Sequence, residues 1–300
     1  MPLSNPICIY HGKCADGFTA AYSIWKWHQW TKETSYKWEF YAGVHGQPFS
    51  HPLEYLDGRD VFIVDFSYGR EVIIEMCKHA KHVFILDHHK TAIERLQGLN
   101  IVNLVTVFDL DRSGAGITWD YFNWDYGARP ALINYVEDRD LWKFELPHSR
   151  EFSSMLFSYE YSFELWDEIF EGLETDTYPD ASYFTTFVAG GAAIDRKHLK
   201  DIRELLDVCT RHIAIGNWRN VPVANLPYTL ANDGANMLSK GVAFGASYYI
   251  NKDGNRIWSL RSDKDGVDVS AIASKFGGGG HYHAAGFQSA DSDAAVKTVI

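Results

Sequence analysis

Short apolar runs alternate with longer amphipathic segments along the first part of the chain. Residues 7–10, 61–64 and 83–86 are almost wholly apolar and too short for helices, which is typical of strands buried on both faces of a sheet. Residues 17–30 and 70–80 are predicted as helices, the second with its apolar residues on one side. Strands that alternate with helices in this way predict a parallel, doubly wound sheet.

The pattern changes in the last third of the chain. Residues 189–215 place apolar side chains near helical spacing and predict a long connecting helix. Three predicted strands follow, over residues 221–226, 242–250 and 256–261. The predicted fold class is therefore α/β, with a first domain over residues 1–188, a linker helix over 189–218 and a smaller α/β domain over 219–300.

Composition narrows the possible partners. The net charge of −11 over 300 residues argues against a protein that coats DNA or RNA, because such proteins are basic. A small phosphorylated substrate stays possible, since bound metal ions can supply local positive charge. The four cysteines form no C-x-x-C pair, which predicts reduced thiols and a cytoplasmic setting. No apolar run reaches transmembrane length, so we expect neither export nor membrane insertion.

Ionisable side chains follow each of the three apolar runs. They are His11 and Asp16 after the first, Asp65 after the second, and Asp87, His88 and His89 after the third. In an open parallel sheet the carboxyl ends of the strands meet at one edge, where ligands bind. Two adjacent histidines often just lie on a surface loop, but ionisable groups at three strand ends need partners. We interpret them as a divalent metal site, which supplies such partners.

Two later segments are candidates for the same site. Residues 111–116 open a predicted helix with Asp or Ser as its N-cap and with small residues that suit an anion or a close neighbour. The next predicted helix begins at residues 129–130 and ends in the acidic stretch 137–140. These acids are either a solvated helix end or part of the site.

Four consecutive glycines, Gly277–Gly280, precede His281 inside the second predicted domain. A glycine run can be a flexible linker, but this one lies within a domain. Consecutive glycines expose backbone N–H groups and let a ligand approach closely. Because Arg261 ends a predicted strand nearby in sequence, we favour an anion-binding corner over a bare turn.

These motifs together resemble a known family. The Asp87-His88-His89 strand end, the His11…Asp16-Gly17 loop and Asp65 look like those of the DHH phosphoesterases. The C-terminal stretch with Gly277–Gly280, His281 and Ala284-Ala285-Gly286-Phe287 resembles the DHHA1 substrate domain of the same proteins. The resemblance covers nearly the whole chain.

The resemblance implies a two-domain enzyme with two divalent ions in its N-terminal domain and a substrate held by its C-terminal domain. By position, the resemblance implies His11 and Asp65 as ligands of the first ion, and Asp16, Asp65, His88 and Asp138 as ligands of the second. It implies that His89 faces the scissile phosphate and that Asp87 is also catalytic. The implied substrate contacts are Arg261, Gly279, Gly280 and His281. Asp140, two residues after Asp138, could be the ligand instead. We expect Mn²⁺, with Mg²⁺ or Zn²⁺ as alternatives.

The chain departs from the family pattern at Cys14. The family usually has two acids in the first motif, and Cys14 stands where the first acid is expected. A thiolate favours softer metals such as zinc, whereas an aspartate suits manganese. Either Cys14 is a ligand, or it packs as a small buried hydrophobic side chain and the first metal is bound more weakly. We favour the buried packing, because manganese sites seldom use sulfur.

The predicted function is metal-dependent hydrolysis of phosphodiester or phosphomonoester bonds in short oligonucleotides or nucleotides by a two-metal mechanism. One alternative is a phosphatase or pyrophosphatase that acts on a small phosphoanhydride. Another is a non-catalytic module that senses a nucleotide with a degenerate metal site. The acidic composition fits a short substrate better than stable binding to long nucleic acid. The sequence does not indicate an oligomeric state.

Overall fold

The computed structural model describes residues 5–44, 47–175 and 182–290, together with the backbone of residues 296–298. The chain divides into two compact units, Met1–Asp195 and Arg196–Ile300. The first contains a parallel sheet and the second a mostly antiparallel sheet, each with helices. The predicted α/β fold class is confirmed.

A five-stranded parallel sheet organises the first unit. Its strands are β1 (Ile7–His11), β2 (Glu39–Gly43), β3 (Asp60–Val64), β4 (His82–Asp87) and β5 (Leu104–Phe108). Their order is β2-β1-β3-β4-β5, and every neighbouring pair is parallel. Tyr10 pairs with Val64, and Val64 pairs with Leu86. This register places the carboxyl ends of β1, β3 and β4 side by side, as the sequence predicted.

Helices surround this sheet. They are α1 (Ala15–Thr31), α2 (Arg70–His79), α3 (Lys90–Leu96), α4 (Gly114–Phe122), α5 (Ala131–Asp140), α6 (Ser149–Leu156) and α7 (Phe163–Glu174). Ile7 and Ile9 of β1 pack in one core cluster with α2, whereas Cys8 packs in another with α1 and α4. Successive strand residues point to opposite faces, so burial of both faces explains why these strands are apolar throughout.

A seven-stranded sheet forms the second unit. Its elements are β6 (Arg211–Ile215), β7 (Trp218–Asn225), α9 (Ala231–Leu238), β8 (Gly245–Ile250), β9 (Asn255–Arg261), α10 (Val269–Ser274), β10 (Gly279–Gly280), β11 (Ala284–Ala290) and β12 (Val296–Thr298). The strand order is β10-β11-β9-β8-β7-β6-β12. Among the described strand pairs of this second sheet, only β7 and β8 are parallel. Trp258, Phe244 and Phe287 lie in its core.

The long helix α8 spans Tyr183–Cys209 and crosses the boundary between the two units. The predicted helix to residue 215 was wrong at its end, because Arg211–Ile215 forms β6. Ile213 pairs with Val221 of β7, the next strand along the chain, so pairing in this hairpin decides the segment. Among the described helices, none combines the length and the apolar character that crossing a bilayer requires.

Candidate metal centre

Asp65 lies directly after β3 and holds two histidines together. Its Oδ1 is 3.2 Å from His88 Nε2, and its Oδ2 is 3.2 Å from His11 Nδ1. The side chain is 1% exposed, and the backbone φ of +61° is in the left-handed region that few residues other than glycine adopt. Such strained residues cluster at functional sites. Burial would raise the pKa of Asp65, but the hydrogen bonds with His11 and His88 outweigh it and hold that pKa well below its usual value.

Asp16 lies in the first turn of α1 and is bound by the N-terminus of α4. Its two carboxylate oxygens accept hydrogen bonds from Gly114 N at 2.7 Å and Ala115 N at 3.0 Å. A Cβ on Gly114 would lie 2.4 Å from Asp65 Cβ, so only glycine allows this helix to come so close. The sequence analysis found the start of α4 suited to an anion or a close neighbour. It binds the carboxylate of Asp16, an anion of the protein itself. Burial, followed by the negative charges of Asp65 and Asp140, raises the pKa of Asp16 well above its usual value.

His88 is the point at which three carboxylates converge. Its Nε2 lies 3.2 Å from Asp65 Oδ1, 3.4 Å from Asp140 Oδ2 and 3.6 Å from Asp16 Oδ2. Burial would lower the pKa of His88, but the Asp65 hydrogen bond and the charge of Asp140 raise it to about 9. Ligand atoms bound at about 2.1 Å to one ion lie roughly 3.0–3.4 Å apart, so these separations and this set of N and O donors fit a divalent ion.

Asp138 and Asp140, the two acids that the sequence offered as alternatives, lie in different surroundings. Asp138 is 5% exposed, and its carboxylate accepts hydrogen bonds from Glu145 N at 3.0 Å and from Ser149 Oγ. Asp140 is the last residue of α5, and its carboxylate faces His88. Side chains two residues apart on a helix point in directions about 200° apart, so only one of the two acids can face the cluster. The structure brings Asp140, not Asp138, to it.

A second group of ligand atoms shares Asp65. His11, Cys14 and Asp65 each offer one donor atom, and these atoms all lie within 4.8 Å of one another. Cys14 is half-buried, less enclosed than the buried packing that the sequence analysis favoured. A Cβ on Gly17 would lie 2.3 Å from the His11 carbonyl oxygen, which shows how tightly the loop between β1 and α1 closes.

Asp87 orients the two histidines that follow it. It is fully buried at the end of β4, and its Oδ1 accepts hydrogen bonds from His88 N at 2.8 Å and His89 N at 3.2 Å. The same oxygen lies 2.7 Å from His89 Nδ1. Burial would raise the pKa of Asp87, but the charge of His89 and this contact lower it. Asp87 is thus placed to act through His89.

In the second unit, Arg261 ends β9 and is oriented by a residue that sequence reasoning missed. Its Nη2 donates to Asn232 Oδ1 at 2.8 Å, and Ser259 Oγ donates to the same oxygen at 2.9 Å. Its Nη1 donates to the Leu260 carbonyl at 2.8 Å. Asn232 lies on α9, and no local sequence pattern marks it as a partner of Arg261.

The glycine run is part of the second sheet. Gly279 and Gly280 form β10 and pair with β11, while the N–H groups of Gly277 and Gly278 donate to carbonyls of α10. Gly280 has a φ of +140°, which favours glycine. His281 follows, and its N–H donates to the carbonyl of Ala284 at 2.8 Å. The run is thus an ordered edge of the sheet, and its binding of an anion stays a prediction.

We expect Asp140→Asn and Asp138→Asn to have different effects. Asp140→Asn should weaken manganese binding by at least about tenfold and leave the stability of the metal-free protein nearly unchanged. Asp138→Asn should destabilise the protein by about 1–3 kcal/mol, because it alters a buried carboxylate that accepts hydrogen bonds from Glu145 and Ser149. Calorimetric metal titration and urea denaturation in chelator measure the two effects. Loss of metal binding in a fully stable Asp138→Asn protein would contradict this assignment.

A family model matches the C-terminal part of the chain, and a relative matches most of its length. Residues 228–299 match the family model described as the DHHA1 domain. Over 291 residues the chain is 31% identical to the uncharacterized protein R106 of Acanthamoeba polyphaga mimivirus, covering 93% of this chain but only 66% of that protein, so the chain spans just under two thirds of its relative.

Two solved structures are similar to the chain at low identity and low TM-score. An exopolyphosphatase-related protein from Bacteroides fragilis is 12% identical over 95% of this chain and 86% of its own, with a TM-score of 0.49. PggH, a pGpG-specific phosphodiesterase from Vibrio cholerae, is 15% identical over 97% and 95%, with a TM-score of 0.37. Neither likeness is close enough to assign an activity. Residues 228–299 are thus similar to the DHHA1 domain, and Asp87-His88-His89 at the end of β4 agrees with the resemblance to the DHH phosphoesterases.

Proposed function

We propose that the chain is a metal-dependent phosphoesterase that hydrolyses phosphodiester or phosphomonoester bonds in short oligonucleotides or nucleotides. The proposal rests on one observation, the convergence of Asp16, Asp65, His88 and Asp140 at the carboxyl edge of a parallel sheet. Carboxylates gathered in a buried place repel one another, and a divalent cation balances their charge. The resemblance of the Asp87-His88-His89 motif to the DHH phosphoesterases and the DHHA1 match over residues 228–299 favour hydrolysis at phosphorus.

The donor atoms fall into two groups that suit two divalent ions, with Mn²⁺ the expected ion. His11 and Asp65 would hold the first ion, and Asp16, Asp65, His88 and Asp140 the second. Asp65 offers a different oxygen to each group, since Oδ1 faces His88 and Oδ2 faces His11. Bound divalent ions supply positive charge to the phosphate and lower the pKa of a bound water.

His89 is the proposed partner of the scissile phosphate. The contact between its Nδ1 and Asp87 fixes the orientation of the ring. A histidine held in this way can donate a hydrogen bond to a phosphate oxygen or a proton to the leaving oxygen. Asp87 then acts as a positioning residue, because it is fully buried and its carboxylate contacts His88 and His89.

Arg261 and His281 are the proposed substrate contacts of the second unit, together with Gly279 and Gly280. Asn232 holds the guanidinium of Arg261, and a guanidinium fixed in orientation suits a phosphate group. The net charge of −11 favours a short substrate, because long nucleic acids need many basic contacts along their backbone.

A substrate panel tests the proposal. The purified protein with manganese should hydrolyse at least one of a set that contains dinucleotides, cyclic dinucleotides and adenosine 3′,5′-bisphosphate, as followed by chromatography. Removal of metal with a chelator should abolish turnover, and added manganese should restore it. Cleavage of pyrophosphate alone would favour a phosphoanhydride phosphatase. Binding of nucleotides without any turnover would contradict an enzymatic role.

Asp65→Asn should remove both ions and lower turnover by more than about 100-fold, because each metal group loses its shared anion. Asparagine tolerates the left-handed backbone of this position better than most residues, so the fold should survive. Asp60→Asn, at the amino end of the same strand, is the matched control and should keep both metal content and turnover. Retention of two tightly held ions by Asp65→Asn would show that the shared ligand lies elsewhere.

His281→Ala should strongly impair turnover of nucleotide substrates and leave the metal content unchanged, because His281 is proposed to contact substrate phosphate rather than metal. A small phosphodiester without a nucleoside, such as bis(p-nitrophenyl) phosphate, depends mainly on the metal centre and should lose less activity. Steady-state kinetics on both substrates make the comparison. Equal losses on both would assign His281 to the chemical step or to folding.

A further inference from the structure

The loop between β1 and α1 carries a sulfur donor next to the metal centre. Cys14 is the residue before α1, and its Sγ lies within 4.8 Å of donor atoms of both His11 and Asp65. His11 Nδ1 itself lies 3.2 Å from Asp65 Oδ2, so the three donor atoms form one compact group. The thiol therefore faces the other two donors.

Neither helix capping nor packing in an apolar core accounts for the thiol at this position. The residue before a helix is commonly Ser, Thr, Asp or Asn, whose side chain caps the first turn, but Cys14 makes no such capping hydrogen bond. It is half-buried rather than enclosed in an apolar core, as Cys8 is. Lys13, in the left-handed conformation with φ of +60°, turns the backbone just before it. The loop geometry places the sulfur beside His11.

The two donor groups also differ in chemical character. The group around His88 offers carboxylate oxygens of Asp16, Asp65 and Asp140 with one imidazole, which suits manganese. The group around His11 offers one sulfur, one imidazole and one carboxylate, a set that suits zinc. A protein that needed the same ion at both positions would gain nothing from this difference.

We propose that Cys14 is a metal ligand, so that His11, Cys14 and Asp65 bind a zinc-type ion while the His88 group binds manganese. The inference rests on the metal centre of the proposed function and adds to it the identity of one ligand and the selectivity of one position. A metal-bound cysteine is deprotonated, so its negative charge takes the place of the missing acid. The centre would then hold two different metals.

Cobalt substitution tests the ligand directly without any measurement of activity. Cobalt(II) bound to the wild-type protein should show a thiolate-to-metal charge-transfer band in the near ultraviolet. Cys14→Ser and Cys14→Asp should each lose that band, and the matched control Cys209→Ser, at the end of α8, should keep it. Cys14→Asp should also weaken zinc binding relative to manganese by more than the roughly 10–100-fold that loss of an outer-shell partner costs.

A measurement on the wild-type protein guards against misfolding of the variants. Peptide mapping after brief alkylation should find Cys14 modified in the metal-free protein and protected once zinc is added. Cobalt that binds without a charge-transfer band, or alkylation of Cys14 that zinc does not slow, would overturn the proposal but leave the metal centre in place. A protein that binds no divalent ion at all would overturn both this inference and the proposed function.

Discussion

A single carboxylate, held in a strained backbone conformation between two imidazoles, is the constraint on which the first unit depends. Asp65 has a left-handed φ, almost no exposure, and a histidine on each oxygen. The neighbouring elements are arranged to permit this. Gly114 lets the start of α4 approach Asp65, and Gly17 lets α1 close on His11. Substitution at either glycine would push a helix away from the sheet edge, so the helices and the site are not independent.

The charges at this edge explain why the site is built for cations. Asp16 and Asp140 add to the negative charge of Asp65, and only part of it is balanced by His88 and by the N-terminus of α4. Burial and then the negative charges of Asp65 and Asp140 raise the pKa of Asp16. A divalent ion removes the repulsion while it binds, so the arrangement that costs stability in the metal-free protein also provides affinity for metal.

The sequence predicted the sheet edge because the information is local. Each of the strands β1, β3 and β4 is an apolar run that ends at its own ionisable residue, so the runs alone place His11, Asp65 and His88 together. Local sequence does not distinguish Asp138 from Asp140, because the difference lies in hydrogen bonds that Glu145 and Ser149 donate to Asp138. The end of α8 at Cys209 depends on the pairing of β6 with β7, and the Asn232 partner of Arg261 on a contact between separate elements. Periodicity carries no information on such contacts.

Anomalous diffraction from crystals of the wild-type protein grown with manganese shows whether Asp65 is shared by two ions, because it locates each ion without reference to activity. We expect two ion positions, each within bonding distance of a different oxygen of Asp65, with His88 and Asp140 beside one and His11 beside the other. A structure in which bound ions avoid Asp65, or in which this sheet edge holds no ion at saturating manganese, would contradict it.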